Sequence, residues 1–538
     1  MNDIPGTDPT FPIHAAQVPS PSELKLTMEI SPLTFPPEEQ VMPFMPPDPQ
    51  TAGDNLPDMP GSEFTPDNTM PPQTPDMPGT GAAPSMPDMP GTGAAPSMPD
   101  MPAPDPASPA PPAQPAVPGG QGEVLQPIDS PYAGGMRISV VSSLGMIPVE
   151  NATVVISYTG DPESPIETLT TDSSGQTEII ELPAPPLELS LEPSEEQPYS
   201  EYDINVTAEG YEPVFVTGSE IFADQLSLQP IRMNPLETTE EEEKIVVIPE
   251  HTLFGNFPPK IPEDEIKPMA ETGEIVLSRV VIPEYVIVHD GVPMDPTAPN
   301  YWVRYKDYIK NVASCEIYST WNEAALYANI LAIQSFTLNR VYTEWYRNQG
   351  YDFTITTSTA YDQKWVYGRN IYENIDYLVD TIFANYLSRP GVRQPIFTSY
   401  CDGRRVTCSG LSQWGSQYLA DEGYSAIEII RYYYGNDMYI NSADVISGVP
   451  SSWPGYDLTI GSAGDKVRQL QAQLNRIARN YPAIPTVVAD GIYGPATADA
   501  IRIFQGIFNL PQTGVTDYAT WYEVSDIYVG VTRIAEPD

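Results

Sequence analysis

One carboxylate in the sequence stands in apolar surroundings. Glu316 lies between Cys315 and Ile317, at the end of the segment 307–319, whose apolar spacing predicts a short amphipathic helix. Poor solvation favours the protonated form of a carboxyl group near neutral pH, and that is the form that a general acid needs. The alternative is a glutamate that pairs with a nearby Lys or Arg and only stabilises the turn.

Two cysteines close a short polar loop. Cys401 and Cys408 flank six residues, and no histidine lies nearby in the sequence. This spacing allows thiols that are reduced or disulfide-bonded across a tight loop, or a zinc site completed by Cys315 or a distant histidine. His251 and His289 lie near a folded core, and each is predicted to be a strand residue with an ordinary hydrogen bond. We therefore expect no cofactor, with zinc at Cys401 and Cys408 as the alternative.

Composition excludes several classes of protein. The 538 residues leave room for about three folded units. With 72 acidic against 25 basic residues the formal net charge is −47, which argues against binding to nucleic acid or to an anionic membrane surface. The sequence contains no apolar run of about 18 residues, so no membrane span is predicted. Its first residues have neither a basic start nor an apolar stretch, so no standard secretory signal is predicted.

Residues 1–134 differ sharply from the rest of the chain. They hold 34 of the 63 prolines and 17 acidic residues against one basic residue, Lys25. Such a segment buries too little apolar surface to offset its ordering entropy, so we predict a disordered acidic region. A twelve-residue repeat, PDMPGTGAAPSM, fills 75–86 and 87–98. It is predicted to be a spacer, with a repeated ligand for a protein partner as the alternative.

Short runs rich in Val, Ile and Thr fill residues 135–235. They are separated by Gly, Pro, Asp and Ser at intervals of about 8–12 residues, which is typical of an antiparallel β-sandwich. The turn 171–175 and the later run 208–211 resemble the carboxypeptidase regulatory-like, or prealbumin-like, sandwich family. That resemblance implies a structural or adhesive module. Asp172 and Asp203 are predicted to be turn residues.

Residues 236–300 are predicted to form a bridge with accessory strands. The similar runs 245–251 and 279–291 are expected to pack on the domain that follows them. That domain, 301–445, is predicted to be an α+β unit. Its clearest helix is predicted to start at Thr320 with a capping box completed by Glu323, and its apolar residues follow two sides, as in a buried helix.

Three ordered motifs occur in residues 301–445. The first is a Glu followed by a turn and a helix, the second pairs Asp-Gln with a later Tyr-Gly, and the third is a Gly-x-Ser-Gln-Trp-Gly run before consecutive tyrosines. In this sequence they occupy 316–336, 362–368 and 410–434. These motifs resemble the stage II sporulation protein D family, which includes the amidase-enhancer (LytB) proteins.

This resemblance implies cleavage of peptidoglycan glycan strands by lytic transglycosylation. It places Glu316 at the family's catalytic acid/base position, and Ser412, Gln413 and Trp414 at the border of its cleft. One carboxyl group is enough for this reaction because a hydroxyl group of the sugar itself is the nucleophile, whereas ordinary glycosidases use a carboxylate pair. The loop before the third motif is short here, which implies a changed glycan preference or a cleft that only binds.

Three short helices are predicted in residues 456–528. A tight turn and helix start, DGIYGPAT, occupies 490–497. Together with the apolar spacing around it, this run is similar to the type 1 peptidoglycan-binding domain. The resemblance implies wall binding near the turn, with Asp490, Tyr493 and Gln505 as candidate contacts.

Both resemblances point to one polymer. We therefore expect a multidomain bacterial protein that binds and remodels peptidoglycan, with glycan strands as its partner. A non-catalytic adhesin or scaffold and an activator of a wall amidase are the alternatives. The expected location is the cell wall or a spore surface, by an export route that the sequence does not specify. A bond between Cys401 and Cys408 would favour an oxidising exterior.

Overall fold

The computed structural model describes residues 130–236, 243–267, 279–443 and 445–532. The predicted disordered region therefore lies outside the described residues except for 130–134. The boundary predicted after residue 134 is wrong, because the first strand already begins at Tyr132. Gly134 belongs to this strand, and a Cβ atom there would lie 2.1 Å from the carbonyl oxygen of Phe222. This close approach between backbones requires glycine.

Two sheets build the first part of the described chain. Their strands are β1 Tyr132–Ser142, β2 Thr153–Tyr158, β3 Pro165–Thr170, β4 Ile180–Ala184, β5 Ser200–Thr207, β6 Val214–Ile221, β7 Leu226–Met233 and β8 Lys244–Val247, with a short helix α1 at Glu188–Leu191. In β1, buried and half-buried residues alternate, as expected for a strand with one face on a core. Residues from both sheets, including Ile138, Ile156 and Ile204, share one buried core.

A second group of elements follows. Its strands are β9 Val281–Ile282, β10 Tyr285–His289, β11 Asn300–Arg304, β12 Ile355–Thr356, β13 Ile371–Tyr372, β14 Asn385–Ser388, β15 Tyr400–Cys401, β16 Leu411–Ser412, β17 Tyr439–Ser442 and β18 Val445–Ile446. Its helices are α2 Tyr305–Glu316, α3 Glu323–Tyr342, α4 Glu373–Ile382, α5 Gln413–Asp421 and α6 Ala426–Tyr434, with a 3-10 turn at Arg347–Gln349. The sheets here are small, and α3 lies at the centre of the packing.

The two sheets of the sandwich include strands from outside 135–235. Their orders are β13-β7-β1-β4 and β3-β2-β5-β6-β8. The run 245–251 was expected to pack on the following domain, and this is wrong for its first part, since β8 pairs in parallel with β6. The later run does pack there, because β10 pairs with β11 and β12. Without β8 one edge of β6 would be unpaired, and an unpaired strand edge can pair with any strand available to it. This explains why the first part of the run 245–251 joins the sandwich.

A buried ion pair joins the sandwich to the helical part. Arg369 is 1 % exposed and donates from Nη1 to Glu220 at 3.1 Å and from Nη2 at 2.5 Å. The next residue, Asn370, donates to the Glu220 carbonyl oxygen at 3.0 Å and to Ser227 Oγ at 2.8 Å. These bonds place β13 beside β7, so the two parts of the chain are connected through charged and polar groups as well as through backbone pairing.

Helix α3 is buried along most of its length. Ile330, Leu331 and Phe336 are fully buried. The predicted capping box at Thr320 and Glu323 is wrong, because the helix begins only at Glu323. A turn precedes it, and the side chain of Asn322 caps the helix by accepting a hydrogen bond from Ala324 N at 3.0 Å.

Three helices end the described chain. They are α7 Asp465–Ile477, α8 Pro495–Ile507 and α9 Tyr518–Thr532, so the last helix extends beyond the predicted end at residue 528. Leu470, Ile501 and Phe504 are fully buried between these helices. In α2, Lys306 pairs with Glu523 of α9 at 2.6 Å, which connects this module to the rest of the fold. Within the described ranges, no helix has the length and apolar character to cross a membrane.

We expect Arg369→Ala to destabilise the fold by about 3–5 kcal/mol, because it leaves the Glu220 carboxylate buried without its cation. Arg347→Ala is the matched control, since Arg347 is 51 % exposed in its ion pair with Glu344, and about 0–1 kcal/mol is expected for it. Urea unfolding followed by circular dichroism measures both. Equal, small losses for the two variants would contradict a joining role for Arg369.

Candidate functional site

Glu316 is the last residue of α2, and its side chain is almost completely enclosed. It is 4 % exposed. Its carboxylate accepts hydrogen bonds from Lys364 N at 3.0 Å, from Gln413 Nε2 at 3.3 Å and, weakly, from Thr252 Oγ1 at 3.5 Å. Gln413 also donates to the Glu316 carbonyl oxygen at 2.9 Å. The fold therefore brings together Glu316 and Gln413, which are 97 residues apart in the sequence.

Two local structures position these donors. Gln413 is the first residue of α5, and Ser412 caps that helix by accepting a hydrogen bond from Gly415 N at 3.0 Å. Lys364 follows Asp362, whose buried carboxylate accepts hydrogen bonds from Arg340 Nε at 2.7 Å and from Thr356 N at 2.9 Å. Because Asp362 is fixed in this way, the Lys364 amide is held against Glu316.

The predicted ion pair of Glu316 with a Lys or Arg is not formed among the described residues. Every donor that contacts its carboxylate within hydrogen-bond distance there is uncharged. Lys260 interacts electrostatically with Glu316 without a direct contact, and its amine donates to the Asp362 carbonyl oxygen. Burial lowers the pKa of Lys260, and the attraction of Glu316 and Asp362 opposes that shift.

A stretch of chain lies over this carboxylate, and we call residues 251–255 the covering segment. Thr252 donates from its backbone N at 3.2 Å and from Oγ1 at 2.7 Å to the carbonyl oxygen of Cys315. Arg405 Nη1 donates to the carbonyl oxygens of Leu253 at 3.2 Å, of Gly255 at 3.0 Å and of the residue between them. These bonds hold the covering segment over Glu316.

The loop that carries Arg405 is closed by a disulfide between Cys401 and Cys408, whose Cα atoms are 6.1 Å apart. This agrees with the disulfide-bonded form of the thiol alternative. Cys315 is a buried thiol, and burial raises its pKa to about 12. No group of three or more His, Cys, Asp or Glu side chains within the described ranges could hold a metal ion. The zinc alternative stays a prediction, and it requires the reduced form of this loop.

Trp414 and Ser412 flank the Glu316–Gln413 pair and are half-buried. The Trp414 ring packs against Trp321 at 5.0 Å and Tyr318 at 5.7 Å between ring centroids. Aromatic rings therefore lie beside Gln413, and the Glu316 carboxylate, which Thr252 of the covering segment contacts, is only 4 % exposed. In this conformation the group is not open to a glycan.

The two histidines make ordinary contacts. His289 Nδ1 lies 2.8 Å from Asn300 Oδ1, and its ring stacks on Phe353. His251 Nδ1 accepts a hydrogen bond from Leu253 N at 3.2 Å, and burial lowers the pKa of His251 well below its usual value. His289 ends a strand, whereas His251 precedes a turn and belongs to none, which corrects its predicted strand position.

In the C-terminal module, the three predicted contacts have different environments. Tyr493 is fully buried and donates to the Gly514 carbonyl oxygen at 3.0 Å. Gln505 is 1 % exposed and donates to the Val515 carbonyl oxygen at 2.9 Å. In this conformation neither side chain offers a surface to a ligand, so Asp490 is the exposed member of the three.

The surface around Asp490 combines a carboxylate with apolar side chains. Asp490 Oδ1 accepts hydrogen bonds from Ile492 N at 2.8 Å and Gln471 Nε2 at 3.2 Å, and these donors lower the pKa of Asp490. Ile492 is 58 % exposed, and Ile460 and Val488 are exposed as well. The sequence did not single out these three aliphatic residues, because their exposure depends on how the turn folds.

Residues 463–523 match the protein family described as "Putative peptidoglycan binding domain". No curated protein matches the chain. Among solved structures, the TIE protein of Bacillus anthracis aligns with 11 % identity and a TM-score of 0.14, over 20 % of this chain and 17 % of that one. The minor pilin GBS52 of Streptococcus agalactiae aligns with 17 % identity and a TM-score of 0.15, over 21 % of this chain and 48 % of that one.

The C-terminal module is thus a peptidoglycan-binding domain, with peptidoglycan as the partner that it supports. The chain spans less than half of either of these two solved structures, and both TM-scores are too low to indicate a shared fold. None of these findings supports the resemblance of residues 301–445 to the stage II sporulation protein D family or a spore-surface location. Glycan cleavage and amidase activation stay predictions.

We expect Arg405→Ala to loosen the covering segment. The change removes hydrogen bonds from a cation, worth about 1.5–3 kcal/mol in total. Hydrogen exchange at the amides of Thr252 and Gly255 should therefore rise about tenfold or more. Amide exchange read by mass spectrometry measures this. Arg404→Ala is the adjacent control, because Arg404 pairs with the exposed Glu195 at 3.0 Å and should leave these amides unchanged. Equal exchange in both variants would contradict the role of Arg405 in holding the covering segment.

Proposed function

We propose that this protein is a bacterial cell-wall protein that attaches to peptidoglycan through its C-terminal module. The observation that carries the proposal is the family match of residues 463–523. The exposed Ile492 beside Asp490 supports it, because an exposed aliphatic group beside a fixed polar group is typical of a ligand site. The buried Tyr493 and Gln505 hold the loops that shape this surface.

The remaining parts of the fold suit an attached scaffold. Lys306 of α2 pairs with Glu523 at 2.6 Å and with Asp526 at 2.7 Å, so the binding module is fixed to the central helices. Arg369 and Glu220 connect those helices to the sandwich. The sandwich is therefore held in a fixed position relative to the module that attaches to the wall.

We expect Ile492→Ser to weaken the binding of the full chain to purified sacculi about tenfold or more, because burying an Ile side chain against a ligand contributes about 1.5–3 kcal/mol. Co-sedimentation over a range of sacculus concentrations measures this. The control is Ile245→Ser in β8, since Ile245 is 61 % exposed and Ile492 58 % exposed. If both variants bind as the unaltered chain does, Ile492 has no part in the contact.

Glycan cleavage at Glu316 is the second candidate function, and the contact between Glu316 and Gln413 favours it. In a lytic transglycosylation the Glu316 carboxyl group would give its proton to the glycosidic oxygen as the C1–O bond breaks. The C6 hydroxyl of the same sugar would form the new bond to C1, and its proton would return to Glu316. The Gln413 amide would orient the carboxyl group. The covering segment must move first, since Glu316 is 4 % exposed.

We expect denuded glycan strands incubated with the full chain to gain anhydro-muramyl ends, detected by mass spectrometry. Arg405→Ala should raise the yield, because it frees the covering segment, and Glu316→Gln should abolish it. Arg404→Ala should match the unaltered chain. If no variant gives product although all bind sacculi, the enzymatic candidate is excluded and the attachment role stands.

A further inference from the structure

A cavity of about 750 Å³ lies where three parts of the fold meet, and we call it the junction cavity. The sandwich contributes residues of β1, β7 and β8, the central part contributes β10, β11 and the segment 365–371, and the C-terminal module contributes the end of α8 and one side of α9. Its volume falls within the range of about 300–1,000 Å³ that is usual for small-ligand sites. It lies apart from Glu316 and from Asp490, neither of which lines it.

Bonds across the rim hold the walls of the junction cavity in place. Gln176 of the sandwich donates to the Ile507 carbonyl oxygen at 2.7 Å. Tyr481 donates to the Met146 carbonyl oxygen at 3.2 Å. Arg304 of β11 donates to the carbonyl oxygen of Asp526 in α9 at 2.7 Å. The first two bonds join the C-terminal module to the sandwich and the third joins it to the central part, so these walls are held before any ligand arrives and binding requires little ordering.

One wall of the junction cavity is aromatic. The Tyr301 ring lies 5.1 Å from Tyr367 and 5.5 Å from Trp365, measured between centroids. Trp302, the next residue in β11, is 66 % exposed, although a Trp side chain is usually well buried. Trp302 and Tyr301 point to opposite sides of β11, and each ring is a flat surface against which the apolar C–H face of a sugar can pack. Serine hydroxyls and side-chain amides of the sandwich, such as Ser139 and Gln176, also line the cavity.

The charged groups of the cavity leave a positive excess. Lys310 is paired with Asp376 at 2.8 Å, so these charges offset each other. Arg232 and Lys244 have no carboxylate within 4.0 Å in the part of the chain that the structure describes. Arg369 uses both terminal nitrogens on Glu220, and its Nε has no hydrogen-bond partner there. Of the carboxylates that line the cavity, Glu523 pairs with Lys306, and Asp307 has no ion pair within 4.0 Å among the described residues. Arg232 and Lys244 outnumber Asp307, and this excess favours an anionic ligand.

We propose that the junction cavity binds an acidic oligosaccharide. Sugar faces pack on Tyr301 and Trp302, and sugar hydroxyls bond to the serine hydroxyls of the lining. A carboxylate of the ligand pairs with Arg232 or Lys244. Among the described residues β8 and β11 are edge strands that line the cavity, so an extended peptide is the competing ligand that the test must distinguish. The site does not depend on the proposed wall attachment.

Isothermal titration of the full chain with a tetrasaccharide of alternating glucuronate and N-acetylglucosamine tests this. The unaltered chain should bind it, and should bind neutral chitotetraose about tenfold more weakly, since the neutral probe lacks the carboxylates. Trp302→Ala and Arg232→Glu should each weaken binding of the acidic probe about tenfold or more. Both side chains are exposed, so both variants should keep the melting temperature of the unaltered chain.

Matched controls come from other faces of the molecule. Tyr418→Ala removes an aromatic side chain that is 66 % exposed, as Trp302 is. Arg393→Glu reverses an exposed charge outside the cavity. Both controls should bind the acidic tetrasaccharide normally, and all variants should sediment with sacculi as before. The proposal is overturned if the tetrasaccharide does not bind, if Trp302→Ala and Arg232→Glu bind it normally, or if only an acidic Pro-rich peptide binds in a Trp302-dependent way.

Discussion

The bond between Arg369 and Glu220 fixes the segment that the other sites depend on. Both side chains are 1 % exposed, and a charge in such a place requires its partner. Because Arg369 is tied to the sandwich, the residues just before it have defined positions. Lys364 turns its amide towards Glu316, while Trp365 and Tyr367 face Tyr301. One short segment therefore serves the candidate acid site and the junction cavity together.

A second buried network sets the other end of that segment. Asp362 is fully buried, and Arg340, Tyr346 and Thr356 all donate to its carboxylate. Arg340 also binds Glu263 at 2.7 Å, which attaches the chain just beyond the covering segment to α3. These buried charged side chains therefore hold backbone segments in place and are not exposed as reactive groups. Glu316 stands at the meeting point of these networks, enclosed by neutral donors.

In the C-terminal module, the buried and exposed side chains differ from what their polarity suggests. Its polar side chains that looked like contacts, Tyr493 and Gln505, are buried and satisfy loop backbone groups instead. The exposed positions are aliphatic, with Ile492 beside Asp490. A tight turn forces this outcome, because Gly491 at φ +80° turns the chain so that Ile492 points outwards while Tyr493 turns into the core.

Local pattern determined much of this protein. Strand alternation, the helix ending at Glu316, the three C-terminal helices and the peptidoglycan-binding motif were readable from the sequence, because each depends on residues close together along the chain. The start of α3 was predicted wrongly, because a turn lies before Glu323 and Asn322 caps the helix in place of Thr320. Tertiary structure alone decided that β8 and β13 complete the sandwich, that Thr252 and Arg405 enclose Glu316, and that three parts frame a cavity. These are contacts between residues far apart in the sequence, and no local propensity encodes which distant edge, carbonyl or charge a group will meet.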